Sequence, residues 1–176
     1  MAPRNKLREL LRGEPVVNHV VRAALKSGAK LVIVVTGYKA ECIEEVLRGL
    51  TVKVVHNKDY ARGLSTSLRI GLKALPPNTD GALILLGDMP EIEASDLDTL
   101  ISAFQDRQSI CIPVREGRRG NPVLWGAAYF GEMRALSGDV GAQQLLARHA
   151  EHVIEVPGSS NGIFVDVDTI SDIERL

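Results

Sequence analysis

Cysteine is scarce in this 176-residue chain. Cys42 and Cys111 are the only two, far apart and without the paired spacing of a thiolate metal site. That excludes a disulfide framework and predicts two reduced thiols, one in a helix and one in a strand. Charge of one sign is lacking as well. A formal net charge of −1 gives no electrostatic case for DNA or RNA as a bulk partner, so any anion must be held by a local site. No apolar run approaches a membrane span, and the opening Met1-Ala2-Pro3-Arg4-Asn5-Lys6 has no apolar signal region. The expectation is a cytoplasmic protein with no membrane partner. Aromatic residues are few, and the single tryptophan, Trp125, reads either as core or as an exposed contact. The four histidines, His19, His56, His149 and His152, form no zinc motif. His149 and His152, spaced i,i+3, read as a solvated surface pair where helix gives way to strand. No Ser-His-Asp order and no Cys-His pair supports a nucleophile.

What the chain does have is an ordinary globular balance and enough length for one domain, residues 1–176, with a real core. Apolar periodicity alternates helix with strand. Val17, Val20, Val21 and Leu25 stripe a helix over 15–27. Leu31 to Val35 is a β-branched run, hence a buried strand, and further strands are predicted at 52–56, 82–86, 110–114, 122–125, 152–156 and 164–167. The rhythm predicts an α/β three-layer sandwich with a mostly parallel central sheet. The chain enters at a basic loop and helix, without the strand and glycine loop that usually open a doubly wound fold.

Five constellations carry chemistry. Ala82-Leu83-Ile84-Leu85-Leu86-Gly87-Asp88-Met89-Pro90 reads as a strand buried on both faces that delivers Asp88 just past its carboxyl end. Ligands bind at that edge of open α/β sheets, and a carboxylate there suits Mg²⁺; the competing reading is a turn or helix-cap aspartate. Asp166-Val167-Asp168-Thr169 ends a late strand, with Asp166 and Asp168 on one side if the strand persists, offering a second carboxylate or a helix cap. Gly63-Leu64-Ser65-Thr66-Ser67-Leu68 crowds hydroxyls at a helix entrance, with Ser65 as the cap, where free N–H groups bind phosphate or a base. Gly120-Asn121-Pro122, after Arg118 and Arg119, places an amide that reads a ligand edge, or else forms a hairpin turn with solvated arginines. Lys6, in Arg4-Asn5-Lys6, is a mobile point charge able to neutralise a triphosphate. Phosphoryl chemistry by positioning and charge neutralisation fits this inventory.

Taken in order, Asn5-Lys6-Leu7, Gly13-Glu14-Pro15-Val16-Val17, Val34-Val35-Thr36-Gly37, the Gly63 to Leu68 segment, Leu86-Gly87-Asp88-Met89-Pro90, Gly120-Asn121-Pro122-Val123-Leu124, Gly138-Asp139-Val140-Gly141-Ala142 and Val165 to Thr169 resemble the MobA-like nucleotidyltransferase family, of glycosyltransferase-A type fold. The likeness spans almost the whole chain and leans toward molybdenum cofactor cytidylyltransferases, through the Gly-Leu-Ser-x-Ser-Leu form. It implies attack by a molybdopterin phosphate on the α-phosphorus of CTP, with release of pyrophosphate. Asp88 and Lys6 would be catalytic, and Lys6, Gly63, Ser65, Ser67 and Asp88 would bind the nucleotide. Asp88, Asp166 and Asp168 would hold Mg²⁺, while Gly120, Asn121 and Pro122 would face the second substrate. Asn121 stands where many relatives carry histidine. A molybdoenzyme or maturation factor is the implied protein partner.

Family members open with a strand and a loop of the form Ala-Ala-Gly-x-Ser-x-Arg-Met, and Met1 falls where that loop's methionine would be. The expectation is an N-terminally truncated form, with unpaired backbone and a slot in the sheet, and a poor catalyst as written. Two other readings stand beside the leading one: nucleotidyl transfer to a sugar phosphate, and a non-catalytic cofactor-binding protein or inactive fragment.

Overall fold

The computed structural model describes residues 5–176. Arg4, part of the basic entry, lies outside the described residues. A short ribbon of β1 (Leu10–Leu11) and β2 (Glu14–Pro15) leads into α1 (Val16–Lys26). Then follow β3 (Ile33–Thr36), α2 (Ala40–Val46), β4 (Lys53–His56) and α3 (Leu64–Lys73). The second half runs β5 (Gly81–Ile84), α4 (Ala94–Ala103), β6 (Ile110–Arg115), β7 (Arg118–Arg119), β8 (Val123–Gly126), α5 (Phe130–Ala135), β9 (Val153–Pro157) and α6 (Ile170–Glu174).

The α/β layering is as predicted, and strand alternation explains it. On β6, Ile110 and Ile112 face one core with Trp125, Met133 and Leu145, while Cys111 faces another with Leu100, Leu124 and Val156. On β3, Val34 packs toward α1 and α2, and Val35 toward Gly71 of α3. Sheets buried on both faces between helices need this alternation of two apolar sides. Trp125 is core, 1% exposed.

Two expectations change. The main sheet is mixed rather than mostly parallel: β5, β8, β6 and β7 join antiparallel, and only β9 lies parallel on β6. The cause is the tight turn at Glu116-Gly117, both at positive φ, which reverses the chain after β6 and sends first β7 and then β8 back along it. Separately, β3 and β4 pair in parallel as their own two-stranded sheet. Among the described residues, β5 therefore has β8 as its single ladder partner, and β3 has only β4. Every residue of β5 is half-buried, where the apolar run predicts a strand buried on both faces.

Candidate active site

The carboxyl end of β5 runs through Leu85, Leu86 and Gly87 to Asp88. The first described turn of the chain, Lys6–Arg8, is a 3₁₀ helix capped by Asn5, whose side-chain oxygen accepts from the Leu7 N–H at 3.1 Å. Leu7 packs at Gly87, where even a β-carbon would stand only 3.7 Å from its methyl groups. That contact presents the neighbouring Lys6 to Asp88. Lys6 Nζ donates to Asp88 Oδ2 at 2.8 Å and to Asp168 Oδ1 at 3.2 Å.

Asp168 arrives by a different route from the one alternation suggested. Residues 165–168 are irregular chain, not a strand, and follow a 3₁₀ turn at Asn161–Phe164. The Val167 N–H donates to the Asp88 carbonyl at 2.8 Å, and its side chain is fully buried with Leu11 and Val16. A buried Val167 sends both flanking aspartates outward. Thr169 and Asp172 then form a reciprocal capping box at the start of α6, which realises the helix cap offered by Asp166-Val167-Asp168-Thr169, and Asp172 also accepts from the Asp168 N–H. Asp166 is exposed and has no hydrogen-bond or ion-pair partner among the described residues. The structure thus brings Lys6, Asp88 and Asp168 together, and Asp166 takes no part in their contacts.

Burial lowers the Lys6 ammonium's proton affinity, but its hydrogen bonds to Asp88 and Asp168, with their charges, outweigh burial and hold it above the ordinary lysine value. Two carboxylates facing one cation form a hard oxygen-donor set of the kind Mg²⁺ takes.

The helix entrance at Gly63 is a second group. Gly63 has φ +106° and begins α3. A β-carbon there would lie 2.4 Å from the Gly138 carbonyl carbon, so only glycine fits. Ser65 does not cap the helix. Its hydroxyl donates to the Gly138 carbonyl at 2.7 Å, and the residue is fully buried. The cap comes from across the chain: Asp139 Oδ1 accepts from the Leu64 N–H at 3.2 Å. Sequence reading missed both Asp139 in this role and Asn57. The Asn57 amide, buried, donates to Thr66 Oγ1 at 2.9 Å and Ser67 Oγ at 3.0 Å, tying the hydroxyls together. A polar residue in a loop gave no signal of burial; the crowded hydroxyls nearby were the available hint. A cleft lined by Tyr60, Ala61, Arg62, Gly63 and Asp139 opens at this entrance.

Gly120, Asn121 and Pro122 form the third group. A β-carbon on Gly120 would meet the Ile163 carbonyl at 2.7 Å, and the Asn121 N–H donates to that same carbonyl at 2.9 Å. Gln143 Nε2 donates to Asn121 Oδ1 at 3.0 Å. Arg118 stacks over the Phe164 ring, and Arg119 pairs with Glu155 at 2.9 Å, so the double arginine is engaged by the protein itself. The turn at 161–164 links this group to the first. Ile163 lies in one core with Met89 and Ile92, and the chain continues from it to the Val167–Asp88 bond.

Residues 1–153 match the family described as the MobA-like NTP transferase domain. The chain belongs to that family. It is a nucleotidyltransferase domain by descent, as its sequence suggests. The structure is similar to a nucleotidyl transferase from Methanothermobacter, with a TM-score of 0.85 and 28% identity, over 98% of this chain and 83% of that one. It is also similar to a Mycobacterium tuberculosis protein solved in complex with manganese, with a TM-score of 0.79 and 25% identity, over 97% and 90% of the two chains. In sequence, the molybdenum cofactor cytidylyltransferase of Escherichia coli is 26% identical over 142 residues, covering 80% of this chain and 71% of that protein. Bifunctional GlmU proteins match as well. The one from Syntrophomonas wolfei is 27% identical over 104 residues, and the chain spans about a quarter of its length. No helix among the described residues is long and apolar enough to cross a membrane.

Proposed function

We propose that this domain is a cytidylyltransferase. A phosphate oxygen of a molybdopterin-type acceptor attacks the α-phosphorus of CTP, the bond from that phosphorus to the bridging oxygen breaks, and pyrophosphate leaves. The observation that carries the reading is the convergence of Asp88 and Asp168 on Lys6 Nζ. Two carboxylates and one ammonium are the equipment of a phosphoryl-transfer site that works by positioning and charge. The similarity to a molybdenum cofactor cytidylyltransferase supports the base and the acceptor.

The residues have separable tasks. Asp88 and Asp168, with Asp166, would hold Mg²⁺. When bound, that ion neutralises triphosphate oxygens and the charge of the leaving pyrophosphate. Lys6, kept protonated by the two carboxylates, supplies a second positive charge to the triphosphate. Gly63, Ser65 and Ser67 form the nucleotide-binding entrance. Ser65 acts by fixing the backbone against Gly138, since its own hydroxyl is committed. Gly120, Asn121 and Pro122 face the acceptor, with the Asn121 amide oriented by Gln143. We further propose a cytoplasmic setting, with a molybdoenzyme or its maturation factor receiving the product.

Isothermal titration of CTP with Mg²⁺ tests the reading. Wild-type protein is expected to bind CTP only with the metal, and Asp88→Ala to lose that binding. Absence of CTP binding in the wild type points instead to a cofactor-binding protein without transferase activity. Turnover with a sugar phosphate in place of the molybdopterin reassigns the acceptor.

A further inference from the structure

The turn between α5 and β9 gathers side chains that nucleotidyl transfer does not use. A 3₁₀ turn spans Ala150–His152, directly after His149. Residues three apart eclipse in such a turn, so His149 and His152 come to one side. One ring nitrogen from each and one carboxylate oxygen of Glu151 lie within 4.8 Å of one another.

These groups are held in place. His149 Nε2 is hydrogen-bonded to Glu132 Oε1 of α5 at 3.0 Å. The Tyr129 ring packs on both imidazoles, with centroids 4.7 and 6.2 Å away. Nδ1 of His152 is shielded from solvent and makes no hydrogen bond among the described residues. Its nearest carboxylate oxygen, Oε1 of Glu151, is 3.5 Å off. A shielded ring nitrogen without a partner is costly unless something else takes its lone pair or its proton. The local field is negative. Burial first, and then Glu151, Asp106 and Glu132, hold the Tyr129 phenol above its ordinary value.

We propose that His149, Glu151 and His152 form a binding site for a borderline transition ion such as Zn²⁺, distinct in every residue from Lys6, Asp88 and Asp168. Two imidazoles and one carboxylate are the donor set such an ion takes, whereas Mg²⁺ prefers oxygen alone. Glu132, bonded to His149, is the outer carboxylate that orients a ligating imidazole. Glu151 is the most exposed of the three and leaves the fourth position open to water. The ion would brace the turn that enters β9, which the Glu132–His149 hydrogen bond fastens to α5. α5 is already fastened to α3 through Arg69, whose guanidinium donates to the Arg134 and Leu136 carbonyls. The chain then runs on to Gly138 and Asp139, which clamp the Gly63 entrance. Through these contacts the bound ion would stiffen the support of that entrance.

The test is titration of the intact, tag-free chain with ZnCl₂ in excess MgCl₂, alongside thermal melts. One equivalent of Zn²⁺ is expected, with a rise in Tm. Glu151→Gln, an exposed and conservative change, and His152→Ala should each weaken Zn²⁺ at least about tenfold and remove the rise in Tm. Asp88→Asn should bind Zn²⁺ as the wild type does. Circular dichroism establishes that each variant is folded. Zn²⁺ affinity unchanged in both Glu151→Gln and His152→Ala overturns the proposal. So does Zn²⁺ binding that is lost in Cys42→Ser instead, or the absence of stoichiometric binding in the wild type.

Discussion

Lys6 Nζ lies 2.8 Å from Asp88 Oδ2, joining two residues 82 positions apart. The same ammonium reaches Asp168 at 3.2 Å, so a cation already occupies the meeting point of the carboxylates. A divalent ion and this ammonium therefore compete. Lys6→Met should tighten Mn²⁺ binding in the absence of nucleotide by roughly fivefold, the effect of removing a half-exposed ion pair worth about 1 kcal/mol. The same variant should bind CTP more weakly, because the triphosphate loses a positive partner. Titration followed by electron paramagnetic resonance reads the first effect and calorimetry the second. Weaker Mn²⁺ binding in Lys6→Met would mean that the lysine supports the ion rather than opposing it. The ion pair itself resists alkali. With the Lys6 value raised on folding, its contribution is complete below the ordinary lysine range and is lost only as pH rises through the higher folded value.

Asn57 holds the α3 entrance from beneath. Its buried amide donates to both Thr66 and Ser67. Asn57→Ala strips those bonds and leaves a small void. The expected cost is about 1–3 kcal/mol in chemical denaturation. A weaker CTP affinity should accompany it, since Ser67 loses its orientation. Full stability in this variant would show that the hydroxyls re-pair with one another.

Gly63 and Ser65 should fail in different ways. Gly63→Ala forces a side chain into the Gly138 backbone at a φ that L-residues rarely adopt, and a loss above about 2 kcal/mol is expected. Ser65→Ala removes one buried hydrogen bond to Gly138 and should cost about 1 kcal/mol. If Ser65 instead contacts phosphate directly, its removal would raise the KM for CTP with stability untouched.

These contrasts mark what the sequence could and could not disclose. Asp88 was legible because an apolar run ending in glycine puts its next residue at a ligand-bearing edge, whatever the rest of the fold does. The Thr169 capping box was legible because its chemistry lies within four residues. Alternation puts Asp166 and Asp168 on one side only if a strand persists there. The 3₁₀ turn at Asn161–Phe164 and the anchoring of Val167 on Asp88 replaced that strand, and no local pattern announces a bond across 79 positions. Ser65 was assigned as a cap because serine before a helix normally caps it. Asp139 took that role from 75 residues away, which freed the hydroxyl to lock the backbone. The antiparallel return into β8 was visible in the turn residues; its effect on the whole sheet was not.

The two thiols should separate by reactivity. Cys111 is fully buried, and burial pushes its thiol up to about 11, while Cys42 is half-exposed on α2. Native protein near neutral pH should release one thiol to a disulfide reagent, with the second appearing only on unfolding. The sign of the linkage follows. An unfolded Cys111 ionises near 9.0, so between that pH and about 11 the folded state holds more protons than the unfolded state. Stability falls as pH rises through this window, by roughly 2–3 kcal/mol, and then levels off. Cys111→Ala should flatten that part of the profile, as a difference from wild type. Two equally fast thiols in the native protein would contradict the burial of Cys111.

The open edges of β3 and β5 carry the last prediction. β6 is paired on both sides, by β8 and β9, whereas β5 and β3 each have one ladder partner among the described residues. Unpaired N–H and C=O groups on an apolar strand are a template for another strand. Hydrogen exchange should therefore be faster in β5 and β3 than in β6, because less structure must open to expose them. Sedimentation velocity should show association that grows with concentration, and the exchange of β5 amides should slow as the species grows. A monomer whose β5 amides are as protected as those of β6 would mean that the edge is already covered. In that event the half-buried Gly81 to Ile84 strand would have a partner beyond those seen here, and the split between the two sheets would close.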